Sequence, residues 1–140
     1  RQTSLPDFAR AVYEGVAFAA RQALETLKIS ADVDSDIISC GGGGFRSQAW
    51  NQIRADVLNT PLQTLTTGEP GISGAVTLAA IGTGIYSSFE VASSALTKYG
   101  SPYNPDPKQV DIYASAFEIY KDAIKENANI GKRLTHLGEG

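Results

Sequence analysis

At 140 residues, 42% apolar and 19% charged, the chain is sized and composed for one folded core, which excludes wholesale disorder. A net charge of −3, with lysines and arginines scattered along the sequence, leaves no electrostatic footprint for a phosphodiester backbone, so nucleic acid is not an expected partner. The single cysteine, Cys40, excludes an internal disulfide framework and fits a reducing, cytoplasmic setting.

The sequence opens on Arg1 and contains no methionine, so it is expected to be part of a longer protein. From Leu5 to Leu27, Phe8, Val12, Val16, Ala19, Ala23 and Leu27 recur at three- and four-residue spacing, which predicts a helix with that stripe as its buried face. Ser4 or Asp7 suits its cap, and Pro6 suits its first turn. A loop with Asp32, Asp34 and Asp36 follows. It lacks the glycine and glutamate of a calcium loop and reads as solvated.

Asp36 to Cys40 is short, partly β-branched and ended by Gly41, Gly42, Gly43 and Gly44, the pattern of a buried strand entering a tight turn. Ser47 then caps a helix with Trp50, Ile53, Val57 and Leu58 on one stripe, closed by Asn59 and Pro61. A second short strand is expected over 61–65, bounded by Thr66, Thr67 and Gly68. Residues 71–86 alternate small residues with Ile72, Val76, Leu78, Ile81 and Ile85. This predicts a helix packed closely enough to offset its glycines, and it is shorter than the roughly 20 residues that span a bilayer. A short helix over 88–96, a proline-rich loop over 99–107 and a helix carrying Val110, Tyr113, Phe117, Tyr120 and Ile124 complete the order. Residues 127–140, including His136, are expected to form a polar, mobile tail beyond a domain over 1–126. Two strands alternating with helices indicate an α/β class, and two are too few for a stable open sheet, so further strands are expected upstream.

The glycine run between strand and helix is the main candidate for chemistry, because glycines let a ligand approach backbone and a helix start offers N–H groups to an anion. A flexible turn explains glycines as well, but four in succession favour a phosphate or nucleotide. There is no Walker pattern, and Arg46 stands where a dinucleotide fingerprint needs its third glycine. Glu69 follows at about the distance of a ribose-binding acid, so a dinucleotide site stays open as an alternative. The lone histidine in the tail and the partnerless Cys40 argue against nucleophilic catalysis. A non-catalytic interaction module is the other alternative.

Three segments in order carry a resemblance: Arg10 to Phe18, Gly42 to Val57 (GGGFRSQAWNQIRADV), and Glu69 to Ala80 (EPGISGAVTLAA). Over residues 8–125 the chain resembles the C-terminal domain of the FGGY carbohydrate kinases, the family of xylulokinase and glycerol kinase. The resemblance implies part of a ribonuclease H-like, actin-like ATPase lobe. It also implies ATP or ADP against Gly42, Gly43 and Gly44, Phe45 lining the pocket, Gln48 near the adenine, and the Ser73-Gly74-Ala75 helix start packed on the strand turn. Phe45 stands where the family commonly has alanine, and Gly41 adds a fourth glycine. For the whole protein, it implies phosphoryl transfer from ATP with Mg²⁺ to a sugar or polyol hydroxyl. The catalytic base and the remaining phosphate loops are expected outside this chain, leaving it inactive alone and with an uncovered face that invites self-association.

Overall fold

The computed structural model describes residues 3–32, 35–66 and 69–137, with the side chains of 129 and 132–137 left aside. Asp34 of the acidic loop, Thr67 and Gly68 after the second strand, and the end of the expected tail at 138–140 lie outside the described residues. The chain folds as α1 (Leu5–Ala31), β1 (Ile38–Cys40), a single 3₁₀ turn (Gly43–Phe45), α2 (Gln48–Leu58), β2 (Leu62–Thr64), α3 (Pro70–Gly82), α4 (Phe89–Leu96) and α5 (Pro107–Leu137).

Serines set the helix starts. Ser4 and Asp7 form a reciprocal capping box on α1: the Ser4 amide donates to Asp7 Oδ2 at 2.9 Å and the Asp7 amide to Ser4 Oγ at 3.4 Å. Ser47 and Ser88 accept from the Trp50 and Val91 amides at the starts of α2 and α4. Asn59, at φ 48°, ends α2 in the left-handed conformation and turns the chain into β2.

β1 and β2 pair in parallel, Ile38 opposite Leu62 and Cys40 opposite Thr64, and α2 makes the crossover that parallel strands require. The proline-rich loop runs antiparallel along the other side of β2. Leu62 and Tyr103 exchange both backbone hydrogen bonds, at 3.0 and 2.7 Å, and Leu65 bridges Tyr99. The buried Asp56 pins this loop: its Oδ1 accepts from the Asp106 amide at 2.9 Å and from Gln52 Nε2 at 2.8 Å.

The core lies between α1, α2 and α5, where Ala17, Phe18, Val57, Tyr113 and Phe117 pack with Ile53, Ala116 and Tyr120 around them. Phe18 meets the rings of Tyr113, Phe117 and Tyr120 at centroid distances of 6.0, 6.0 and 5.3 Å. Arg21 lies over Phe117 at 4.4 Å and donates to the Val57 carbonyl at 3.1 Å.

Four expectations are corrected here. The stripe of α1 expected to be buried faces outward: Phe8, Val12, Val16 and Leu27 are 69%, 57%, 49% and 60% exposed, with Ala19 and Ala23 exposed between them. The inward face instead carries Ala17, Phe18 and Arg21, because those residues meet α2 and α5. β1 is only half-buried. α3 is not tightly packed: it buries Thr77 and Ala80, while Ile72, Val76 and Leu78 are exposed, and it stops at Gly82 because Gly84 turns at φ 74°. Residues 127–137 do not form a separate tail; they continue α5, His136 included, with no proline after Pro107 to break the helix and Gly131 its one glycine.

Candidate functional site

Both parallel strands point their carboxyl ends at one cavity. Gly41 and Gly42 follow β1, Thr64 ends β2 with Leu65 after it, Glu69 precedes α3, and these with Phe45 and Arg46 line a cavity of about 470 Å³. In open α/β sheets this is where ligands bind, because the strand ends and the loops after them leave a crevice there.

The glycines of the turn differ in what they do. At Gly41 a Cβ would run into the Pro70 ring and come within 2.7 Å of Leu65 Cδ1, so the first glycine lets the start of α3 close on the strand end. Gly42 stands at φ 98° and ψ 176°, a conformation that side chains rarely adopt. Gly43 has open space around it. The turn then closes on itself, the Phe45 amide donating to the Gly42 carbonyl at 3.1 Å.

α2 supports the turn from behind. Asn51 is buried, and its Nδ2 donates to the Phe45 carbonyl at 2.8 Å. Arg54, also buried, donates through Nη1 to the Gly44 carbonyl at 2.8 Å. Burial lowers the pKa of its guanidinium, with Cys40 pulling the other way, and burial pushes the Cys40 thiol up while the Arg54 charge opposes it. Across the cavity Arg46 Nη2 stands 3.8 Å from Glu69 Oε1, an exposed pair that contributes little to stability and leaves both groups free to reorient.

Of the residues expected to form the site, Gly42 and Phe45 line the cavity, and Gly43 and Gly44 sit on the exposed turn beside it. Gln48 opens α2, is exposed and does not line the cavity. Gly74, expected to pack closely on the strand turn, has nothing within 4 Å of its would-be Cβ, and Pro70 at the start of α3 is what closes on Gly41. Asn51 and Arg54 escaped the sequence reading. Their signal was spacing: they lie three apart on the face of α2 that looks back at the turn.

A family model described as "FGGY family of carbohydrate kinases, C-terminal domain" matches residues 1–83. The xylulose kinase of Staphylococcus epidermidis is 29% identical over 129 residues, which is 92% of this chain and 26% of that relative. The crystal structure of xylulose kinase from Rhodospirillum rubrum superposes with a TM-score of 0.76 at 28% identity, covering 93% of this chain and 27% of that one. The structure of a ligand-bound xylulose kinase from Lactobacillus acidophilus gives 0.77 at 25% identity, covering 88% and 25%. The chain thus spans about a quarter of the length of the curated relatives it matches.

Proposed function

Since the chain belongs to the FGGY family of carbohydrate kinases, as part of its C-terminal domain, we propose that the glycine-turn cavity receives ATP or ADP for phosphoryl transfer to a sugar or polyol hydroxyl. The fold is the expected portion of an actin-like ATPase lobe. One observation carries the nucleotide assignment: backbone at Gly41 and Gly42, free of side chains, borders a cavity at the carboxyl ends of two parallel strands.

In this reading the turn presents backbone to the phosphates or ribose, and Phe45 offers a ring face to the base. Gln48 reaches the adenine only if its exposed side chain swings toward the cavity. Arg46 can meet a phosphate once it leaves Glu69. Phosphoryl transfer depends mainly on positioning and charge neutralisation, and a nucleotide lobe supplies the first of these. Mg²⁺ would neutralise phosphate charge in the whole enzyme. Among the described residues no three acidic, histidine or cysteine groups converge to hold a metal, so no step through it is assigned here. The acceptor hydroxyl must be deprotonated by a base elsewhere in the kinase, and the chain alone is expected to turn over no sugar.

Among the described residues no helix is long and apolar enough to cross a membrane. The exposed stripe of α1 is the surface through which self-association would run.

Calorimetric titration with Mg-ATP and with NAD tests the assignment, repeated on Gly43→Val. The open space at Gly43 lets the valine fold while its methyls obstruct a ligand on the turn. Uptake of ATP, abolished by the valine and absent for NAD, supports the kinase lobe. Uptake of NAD in preference to ATP would replace it with the dinucleotide alternative, in which Glu69 at the same cavity takes the ribose.

A further inference from the structure

The partners of Arg54 are unusual for a buried arginine. Among the described residues its hydrogen bonds go to two neutral oxygens, the Gly44 carbonyl at 2.8 Å and Asn51 Oδ1 at 3.2 Å, and to no carboxylate. Its guanidinium lies against two rings, Cζ standing 4.2 Å from the Phe45 centroid and 3.6 Å from that of Trp50. Trp50 in turn stacks on Tyr13 at 4.8 Å and donates its indole N–H to the Tyr13 carbonyl at 3.4 Å. These contacts form one continuous path from the glycine turn through Arg54 and Trp50 to α1.

Burying a charge without a counter-charge is costly, and π faces and neutral oxygens offset only part of that cost. What the placement provides is geometric. A planar guanidinium can lie flat on a ring while its in-plane N–H groups reach a carbonyl, and a lysine ammonium cannot do both. Phe45, which lines the cavity, and Gly44, which carries the turn, are both held by this one group.

We propose that Arg54 is a positioning residue that acts through the Phe45 ring and the Gly44 carbonyl to hold the Gly43–Phe45 turn in the shape that receives the nucleotide. The requirement is for a planar guanidinium and not merely for positive charge. This rests on the assignment of the turn to a nucleotide, and the experiment separates the two.

In the full chain, Arg54→Lys and Phe45→Leu are made singly and together. Exchange of the Phe45 and Arg46 amides, which bond the Gly42 and Gly43 carbonyls at 3.1 and 3.4 Å, reports the turn. The emission of Trp50, the sole tryptophan, reports the stack, and calorimetry reports Mg-ATP affinity. Arg54→Lys is expected to speed exchange of both amides and to weaken Mg-ATP about tenfold, the loss of one hydrogen bond from a charged group, while α5 amides keep their protection. Phe45→Leu is expected to act in the same direction, and the double variant to add little, because both substitutions break one path.

Lysine matching arginine in exchange and affinity would overturn the proposal. Should Arg54→Lys also expose α5, Phe45→Leu decides, and unchanged exchange at Arg46 in that variant would overturn it. If the unsubstituted chain takes up no Mg-ATP, the nucleotide assignment falls and takes the positioning role with it. If Mg-ATP binds equally to all variants, the assignment stands and the positioning role alone is lost.

Discussion

Two glycine-rich segments, the turn after β1 and helix α3, meet where Gly41 approaches Pro70, and they are built on opposite terms. In the turn at 41–44, Gly41 is hemmed in by Pro70 and Leu65, Gly42 adopts a backbone conformation that suits glycine alone, and Gly44 is fastened to Arg54. Along α3, Gly71, Gly74 and Gly82 have nothing within 4 Å of a would-be Cβ. The same residue type therefore marks a constraint in one segment and open space in the other, and only the neighbours tell them apart.

Substitutions sharpen the contrast. Gly41→Ala should be the most damaging, losing about 2–3 kcal/mol, because the methyl must displace a proline ring held at a helix start. Urea denaturation measures it, and a variant as stable as the parent would mean that Pro70 yields freely. Gly42→Ala meets no atoms but must hold φ 98°, so a smaller loss of about 1–2 kcal/mol is expected. Gly74→Ala should move stability the other way, gaining about 1 kcal/mol from helix propensity in an uncrowded site. A loss there would break the comparison by showing that the face of α3 needs its glycine.

The mildest test uses Cys40, at the entrance to the constrained turn. Burial raises the pKa of its thiol, which leaves less thiolate at neutral pH than a free cysteine has. Alkylation by iodoacetamide, followed by mass spectrometry, should therefore lag behind that of an unstructured peptide thiol and accelerate only above the usual thiol range. Arg54→Lys in the same assay shows whether loosening the turn opens the thiol.

Element order was legible because it is written in local chemistry. Ser4, Ser47 and Ser88 cap helices through their own hydroxyls, and Asn59 tolerates the left-handed turn that ends α2. Burial was less legible. Periodicity shows that α1 has an apolar stripe, but whether Phe8 and Val12 are covered depends on what else is present to cover them. Polar composition past Asn127 suggested a tail, although an exposed helix is polar by nature, and α5 runs on to Leu137. At the site, the glycine turn announced itself, whereas Gln48 was placed by resemblance alone and Arg54 acts back across ten residues, a distance no local pattern spans.

The proline-rich loop has one further consequence. Tyr103 and Gly100 occupy the outer backbone groups of β2, donating to Leu62 and Thr64, and Pro102 and Pro105 beside them have no N–H to donate. Among the described residues β1 has a neighbour on one side only, and the pairing of Ile38 and Cys40 toward β2 turns the backbone of Ser39 outward. The sheet is therefore directional: sealed at one margin, it can lengthen only across β1. A strand added there would be read in register from Ser39.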